Sequence, residues 1–336
     1  MKKLAVLLPT YNAASYLEES IDSILYQTFS DFDLYVYDDC STDNTAEIVS
    51  KYTDFRVFYK RNNVNMGISK TLNKGLEDLL LHYEYIARMD ADDWSYPERF
   101  KKQLGYLEQN KEVVLCGTQG YWLKDMSQNP NSGWKYPLNN QYLQRYLLFG
   151  ASFGHSSVMI RSHFFNQYNL RYSETIATCE DWELWMRVLQ FGVACNLPDF
   201  LMKYRVLENS NHRSLEKQQQ HWLERSKIIS NYWSNFGIEL SPKQVFDFYY
   251  NENEIYKTEF INNCKVFIRA FNKLNEKSSV DLEESEKSSL AYMLARKILN
   301  YWRRSGVSRI NVIIWVELVS EVRFMSKTKW IKSIIR

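Results

Sequence analysis

The strongest constraint on the fold is how the apolar pattern changes period between residues 4 and 89. Residues 4–8 are continuously apolar, as in a strand covered on both faces. Tyr16, Leu17, Ile21, Ile24 and Leu25 then recur at three- and four-residue spacings, the period of an amphipathic helix. Residues 34–37 predict a second strand, ending in Asp38 and Asp39. Residues 41–45 form a turn with helix-capping chemistry ahead of a short helix over 46–52. A third strand is expected over 55–59, a helix over 68–81 and a fourth strand over 85–89, which runs into an acidic cluster. Strands and helices that alternate in this way predict an α/β fold, with a mostly parallel, Rossmann-like sheet flanked by helices. Such sheets bind ligands beyond the carboxyl ends of their strands. Pro9-Thr10-Tyr11-Asn12, Asp38-Asp39 and Asp90-Ala91-Asp92 each fall at such an end, so three strands should deliver polar groups to one edge.

The rest of the chain reads less sharply. Strands are expected at 113–117 and 158–161. A helix is expected over 182–191, with Leu184, Trp185, Val188 and Leu189 on one face. Past Ser214 the texture turns to long helical stretches rich in aromatics and lysine, and the serine- and glutamate-rich 278–289 holds a loop and a helix start. This places a boundary near residue 213, between domains 1–213 and 214–336. A net charge of +2 gives no electrostatic case for nucleic acid. The five cysteines include no CxxC pair and their number is odd, which disfavours a disulfide framework or zinc site and favours a reducing compartment. Met1-Lys2-Lys3 and the following apolar run look like a signal peptide, but the run is short and Pro9 and Asn12 interrupt it. No apolar stretch reaches the roughly 18 residues that a transmembrane helix requires.

Two carboxylates one residue apart at a strand end, Asp90 and Asp92, can reach one metal ion if the backbone stays extended. Mg²⁺ or Mn²⁺ suits oxygen ligands and keeps positions open for substrate phosphates. A calcium loop of the EF-hand kind fails on spacing, since its sixth position would be Ser95 and its twelfth Lys101. A dehydrogenase is disfavoured because no GxGxxG follows the first strand.

Taken in order, Pro9-Thr10-Tyr11-Asn12, Asp38-Asp39-Cys40-Ser41-Thr42-Asp43, Asn65-Met66-Gly67-Ile68 and Arg88-Met89-Asp90-Ala91-Asp92-Asp93 resemble the motif series of family 2 glycosyltransferases. These are inverting enzymes with a nucleotide-binding GT-A-type fold. The resemblance implies a nucleotide-binding half over 1–100 and an acceptor-binding half over 101–213. It places Thr10 and Tyr11 against the nucleoside, one of Asp38 and Asp39 on the base, and Asp90 near ribose or metal. Asp92 is then the metal ligand, and Arg88 approaches the diphosphate or base. Cys40 stands where glycine is more usual, so the turn there should differ.

Cys179-Glu180-Asp181-Trp182 resembles the family's Glu-Asp motif, in which the aspartate is the general base. An attacking hydroxyl must lose its proton, and a carboxylate within hydrogen-bond reach can take it. The same acids also suit a helix N-terminus, where the dipole favours negative charge. His155 matches a stretch that borders the acceptor site, or is a satisfied structural histidine. Trp182 and Trp185 could stack an acceptor sugar, although Trp185 fits a core face better. His212 follows Tyr204-Arg205 later than the metal-binding histidine of some relatives. Residues 218–222 resemble the Gln-x-x-Arg-Trp signature of processive synthases, with His221 in the arginine place. Without membrane helices a single-addition enzyme is the better expectation.

Beyond Trp302, basic residues interleave with Ile313, Trp315, Phe324 and Trp330. Such a segment suits either a peripheral contact with anionic lipid or a helix packed on the main domain. The expectation is therefore an inverting transfer of one sugar from a nucleotide-sugar, UDP-linked ahead of GDP- or dTDP-linked. The acceptor would be a glycan or lipid-linked saccharide of a bacterial surface polysaccharide (LPS, O-antigen or capsule). The work would be done in the cytoplasm or at the cytoplasmic face of the membrane. The alternatives are a nucleotidyltransferase that makes a nucleotide-sugar, though residues 9–15 lack the glycine and lysine of a triphosphate loop, and a non-catalytic glycan-binding protein of the same fold.

Overall fold

A computed structural model describes residues 2–130, 132–207, 215–250, 257–276, 282–304 and 322. The first part follows the alternating plan: β1 (Lys2–Thr10), α1 (Leu17–Leu25), β2 (Phe32–Asp38), α2 (Thr45–Ser50), β3 (Val57–Arg61), α3 (Ile68–Leu79) and β4 (Tyr83–Arg88). There follow β5 (Trp94–Ser95), α4 (Arg99–Gln109), β6 (Val113–Leu123), β7 (Gly133–Trp134), α5 (Asn140–Tyr146), β8 (Met159–Arg161), α6 (Ser162–Gln167), α7 (Glu180–Phe191) and β9 (Val193–Arg205). The expected third strand lies two residues later than its apolar pattern suggests, because β3 registers its Val57 on Leu34 of β2.

Among the described residues nine strands form one sheet in the order β3-β2-β1-β4-β8-β6-β9-β5, with β7 beside β6. Strands β3, β2, β1 and β4 pair in parallel. Strand β8 runs against both β4 and β6, and β9 is parallel to β6. Strands β6 and β9 therefore point the same way as β1 and β4. Six carboxyl ends, those of β1, β2, β3, β4, β6 and β9, therefore meet at one edge, three more than the polar strand ends of the sequence mark.

The core explains this order. Leu4, Val6 and Leu8 are fully buried in β1, which needs cover on both faces. Helix α3 supplies part of that cover, with Leu72, Leu76 and Leu79 buried. A Cβ added at Gly75 would stand 2.3 Å from a Leu7 methyl, so the helix lies directly on the strand. Arg99, 0% exposed at the start of α4, ties the sheet to the acidic turn. Its Nη2 donates to Arg88 O at 2.8 Å and Val158 O at 3.3 Å, and its Nε donates to Gln103 Oε1 at 3.0 Å.

The chain divides into two compact units, one drawn from Met1–Leu143 and Ala151–Asn211, the other from Gln144–Gly150 and His212–Arg336. In the second, α8 (Leu215–Ser234), α9 (Pro242–Tyr249), α10 (Lys257–Glu276) and α11 (Glu284–Arg304) share an aromatic core. Phe248 and Phe267 stack at 3.9 Å, and Phe248 packs on Tyr301 at 5.5 Å. A capping box between Ser241 and Gln244, with Pro242 in the first turn, starts α9. The segment Gln144–Gly150 belongs here through Tyr232 and Tyr249, whose hydroxyls donate to Gln144 O and Leu148 O. Trp222, in the synthase-like stretch, stacks on Tyr250 at 5.5 Å and carries Arg225 over its ring. No helix among the described residues is long and apolar enough to cross a membrane. The basic tail beyond residue 304 and His212 lie outside the described residues, Val322 apart.

Candidate active site

The loops beyond β1 and β2 are laced together. Asn12 adopts a left-handed conformation (φ 50°) and bridges the two. Its N–H donates to Ser41 Oγ at 2.9 Å, and its Oδ1 accepts from Thr42 N at 2.8 Å. Ala13 N donates to Thr45 Oγ1 and Ala14 N to Asp43 Oδ2. The capping chemistry expected over 41–45 thus serves mainly to bind loop to loop; Asn44, the residue that caps α2, makes no side-chain cap bond. Cys40 takes up φ 63°, a value that glycine adopts freely, which accounts for the usual glycine there.

Asp38 and Asp39 are both buried, at 0% and 4% exposure. Asp38 accepts from Ser41 N at 2.8 Å and from the Tyr59 hydroxyl. Asp39 accepts from Asn62 Nδ2, Met66 N and Gly67 N at 2.8–2.9 Å. Gly67, at φ 85°, caps α3, so Asp39 holds that helix entry in place. Both acids are committed to the loops that they shape. Tyr11, by contrast, is 51% exposed at the end of β1, and Asn65 is exposed in the loop before α3. Pro9 and Thr10 are buried, and Thr10 Oγ1 has no hydrogen-bond partner.

Beyond β4 the chain does not stay extended. It turns at Ala91-Asp92, and the turn folds Asp93 back beside Asp90 and Asp92. One oxygen from each of the three carboxylates lies within 4.8 Å of the others. Asp93, which the motif resemblance gives no role, thus joins the pair. Ala91 is buried beneath the turn, and Ser20 Oγ donates to Asp90 O at 2.9 Å to fix it. Ser156 Oγ sits 2.6 Å from Asp90 Oδ2 and also touches Asp93 Oδ2. Ser156 thus bridges the two acids across the turn. Arg205 closes the other side, its N donating to Asp93 Oδ1 at 3.0 Å and its Nε to Asp92 O at 2.9 Å.

The electrostatics of the turn are uneven. Burial would raise Asp90, but the Arg88 guanidinium, aided by the Ser156 hydroxyl, holds it below the usual carboxylate value. Burial and the Asp90 charge push Asp92 up to about 6. Burial, then Asp90 and Asp92, raise Asp93 well above its ordinary value. Three clustered carboxylates, two of them reluctant to ionise, fit a hard divalent cation.

Arg88 differs from expectation. It is 5% exposed, pairs with Asp90 and donates to Ser156 Oγ at 2.9 Å. Buried beneath the acidic turn, it holds the Asp90 carboxylate ionised. His155 is half-buried, with Nε2 2.9 Å from the Tyr172 hydroxyl. Burial, then Arg88, lowers its pKa well below the ordinary value, so the ring is neutral. Trp182 is 4% exposed, so its ring is closed to a stacking sugar, as is that of Trp185 at 1%. Both belong to the buried face of α7.

Glu180 and Asp181 open α7, after Cys179 turns the chain at φ 66°. Burial, then the Asp181 charge, raises Glu180 to about 7. Burial raises Asp181 too, against the opposing Trp182 N–H, which donates at 2.7 Å, and Arg88. Arg88 and Asp90 act on both acids, so the carboxylate pair at α7 and the acidic turn share one electrostatic neighbourhood. Distant in sequence, they are brought together by the fold.

A mostly parallel sheet with polar loops and a carboxylate cluster at one edge is a GT-A-like fold. The profile described as Glycosyl transferase family 2 matches residues 5–168. The amylovoran biosynthesis glycosyltransferase AmsE of Erwinia amylovora is 30% identical over 206 residues, 60% of this chain and 75% of that one. Among solved structures, S. aureus TarS 1-349 in complex with UDP-GlcNAc matches with a TM-score of 0.56 at 18% identity, over 90% of each chain. The mannosyltransferase PcManGT from Pyrobaculum calidifontis, in complex with GDP-Man and Mn²⁺, matches at 0.52 and 14%, over 95% of this chain and 86% of that one. At such identities the two structures speak for the fold alone. The chain belongs to glycosyltransferase family 2, and it is a glycosyltransferase enzyme.

Proposed function

We propose that the chain transfers one sugar from a UDP-linked donor, with inversion, to a glycan or lipid-linked saccharide in surface polysaccharide assembly on the cytoplasmic side. The observation that carries this reading is the shared neighbourhood of the acidic turn and the Glu180-Asp181 pair. Tyr11 offers an exposed ring for the base beside loops ordered by Asp38 and Asp39. Asp92, with Asp90 and Asp93, would hold Mn²⁺ or Mg²⁺, which when bound neutralises charge on a departing diphosphate. Asp181, raised by burial, takes the proton from the acceptor hydroxyl. A base on one face of the sugar and a leaving group on the other make a single displacement, which inverts the anomeric centre. AmsE, named for amylovoran biosynthesis, supports the polysaccharide assignment.

The test is a donor-hydrolysis screen over UDP-, GDP- and dTDP-sugars with Mn²⁺, with and without chelator. Turnover of a UDP-sugar that chelation abolishes is expected. Turnover that survives both chelation and Asp92→Ala would sink the metal assignment. Asp181→Asn should lower transfer by roughly a hundredfold or more, and undiminished transfer would remove the base. Because burial raises both acids of the pair, transfer should fall as pH drops below neutrality and they take up a proton.

A further inference from the structure

Two large rings, apart from the carboxylate groups, lie open beside the acidic turn. Trp122 and Tyr204 are the penultimate residues of β6 and β9, paired by register on parallel strands, so their side chains share a face of the sheet. They are 44% and 43% exposed. Their strand ends lie at the same edge as the end of β4. Tyr204 stands next to Arg205, whose N–H holds Asp93, and its hydroxyl feels the charges of Asp90, Asp93 and Asp92.

The rings rest on a built support. Trp134, buried at 5% exposure, contacts both, with centroids 5.9 Å from Trp122 and 6.4 Å from Tyr204. Its indole N–H donates to Thr118 O at 3.1 Å. It fits only because β6 carries glycine where it crosses, since a Cβ at Gly120 would stand 2.2 Å from its ring. An exposed pair of large rings is the kind of surface that marks a binding site. Aromatic faces carry a negative quadrupole, which attracts the polarised C–H bonds on the apolar face of a pyranose.

We propose that Trp122 and Tyr204 form the acceptor subsite, a platform on which a pyranose of the acceptor stacks beside the acidic turn. The proposal rests on the glycosyltransferase reading and assigns the acceptor's side of it. The sheet order separates the two sugars' partners. Tyr11 lies at the end of β1 on one flank of β4, whereas β6 and β9 lie on the other. A nucleoside on the β1 side leaves the β9 side to the acceptor.

The test is saturation-transfer NMR on the full chain with UDP and Mn²⁺, using the methyl β-glycosides of glucose, galactose and N-acetylglucosamine as probes. At least one glycoside should be saturated at its ring C–H protons. Trp122→Ala should reduce that signal at least about fivefold, while Trp122→Phe keeps more than about half, as a stacking role requires. UDP affinity by calorimetry should change by less than about twofold in Trp122→Ala, because that ring lies across β4 from Tyr11. Equal signals in the wild type and Trp122→Ala, or no saturated glycoside in the wild type, would overturn the platform. The two readings fail separately. Trp122-dependent glycoside binding without any nucleotide uptake removes the transferase reading and keeps the platform, whereas nucleotide uptake without that signal does the reverse.

Discussion

The loops beyond β1 and β2 and the turn beyond β4 are equally polar and share one sheet edge, yet they are stabilised in opposite ways. In the loops, Asp39 accepts three hydrogen bonds, two from backbone N–H groups, and Asn12 and Asp43 tie one loop to the other. In the turn, the carboxylates face one another and burial raises Asp92 and Asp93. The first region is complete within the chain; the second has a demand that a cation would meet. Acidic residues at a strand end are therefore not alike, and what decides is whether N–H groups or other acids surround them.

The sharpest break between the regions is Asp92→Ala. It should cut metal-dependent transfer by about a thousandfold, some 4 kcal/mol, measured as kcat/KM with saturating Mn²⁺. Next comes Asp39→Ala, which should destabilise the fold by about 3 kcal/mol in urea melts, because the buried Asn62 amide and the Met66 and Gly67 N–H groups at the α3 entry lose their acceptor. A loss as small as that of a surface substitution would make Asp39 a ligand group and dissolve the contrast. Third, saturating Mn²⁺ at pH 7.5 should stabilise the protein by about 2–3 kcal/mol, read as a rise in Tm. The gain should shrink toward pH 5, where Asp92, raised to about 6, holds a proton. Smaller still is the metal-free effect. A carboxyl whose folded pKa is raised contributes stability that is present at low pH and lost as pH rises through about 6. Asp92→Asn should therefore stabilise the metal-free protein at pH 7.5 by about 1 kcal/mol and have little effect at pH 4. Gly67→Ala, at φ 85°, should cost about 1 kcal/mol without changing metal binding.

Much of the parallel half was legible in the sequence, since each strand and helix there carries its own apolar period. Local pattern also marked the acidic segment and the Glu180-Asp181 pair. It misjudged the shape of the turn: an extended strand would align Asp90 with Asp92, whereas the observed bend recruits Asp93. Trp182 looked like a sugar platform because an indole reads the same whether buried or open. Ser156, Arg205 and Tyr204 went unassigned, because each acts only through partners far along the chain.

The α/β alternation, the strand ends that carry polar groups and the family to which the chain belongs could all be read from the order of residues. These follow from period, turn chemistry and motif order, all of them local. Which carboxylates gather, which of them resist ionisation and which rings stay open emerge only in the folded molecule. Those properties depend on burial and on the distance between charges, and both are fixed only when β4, β9 and α7 come together.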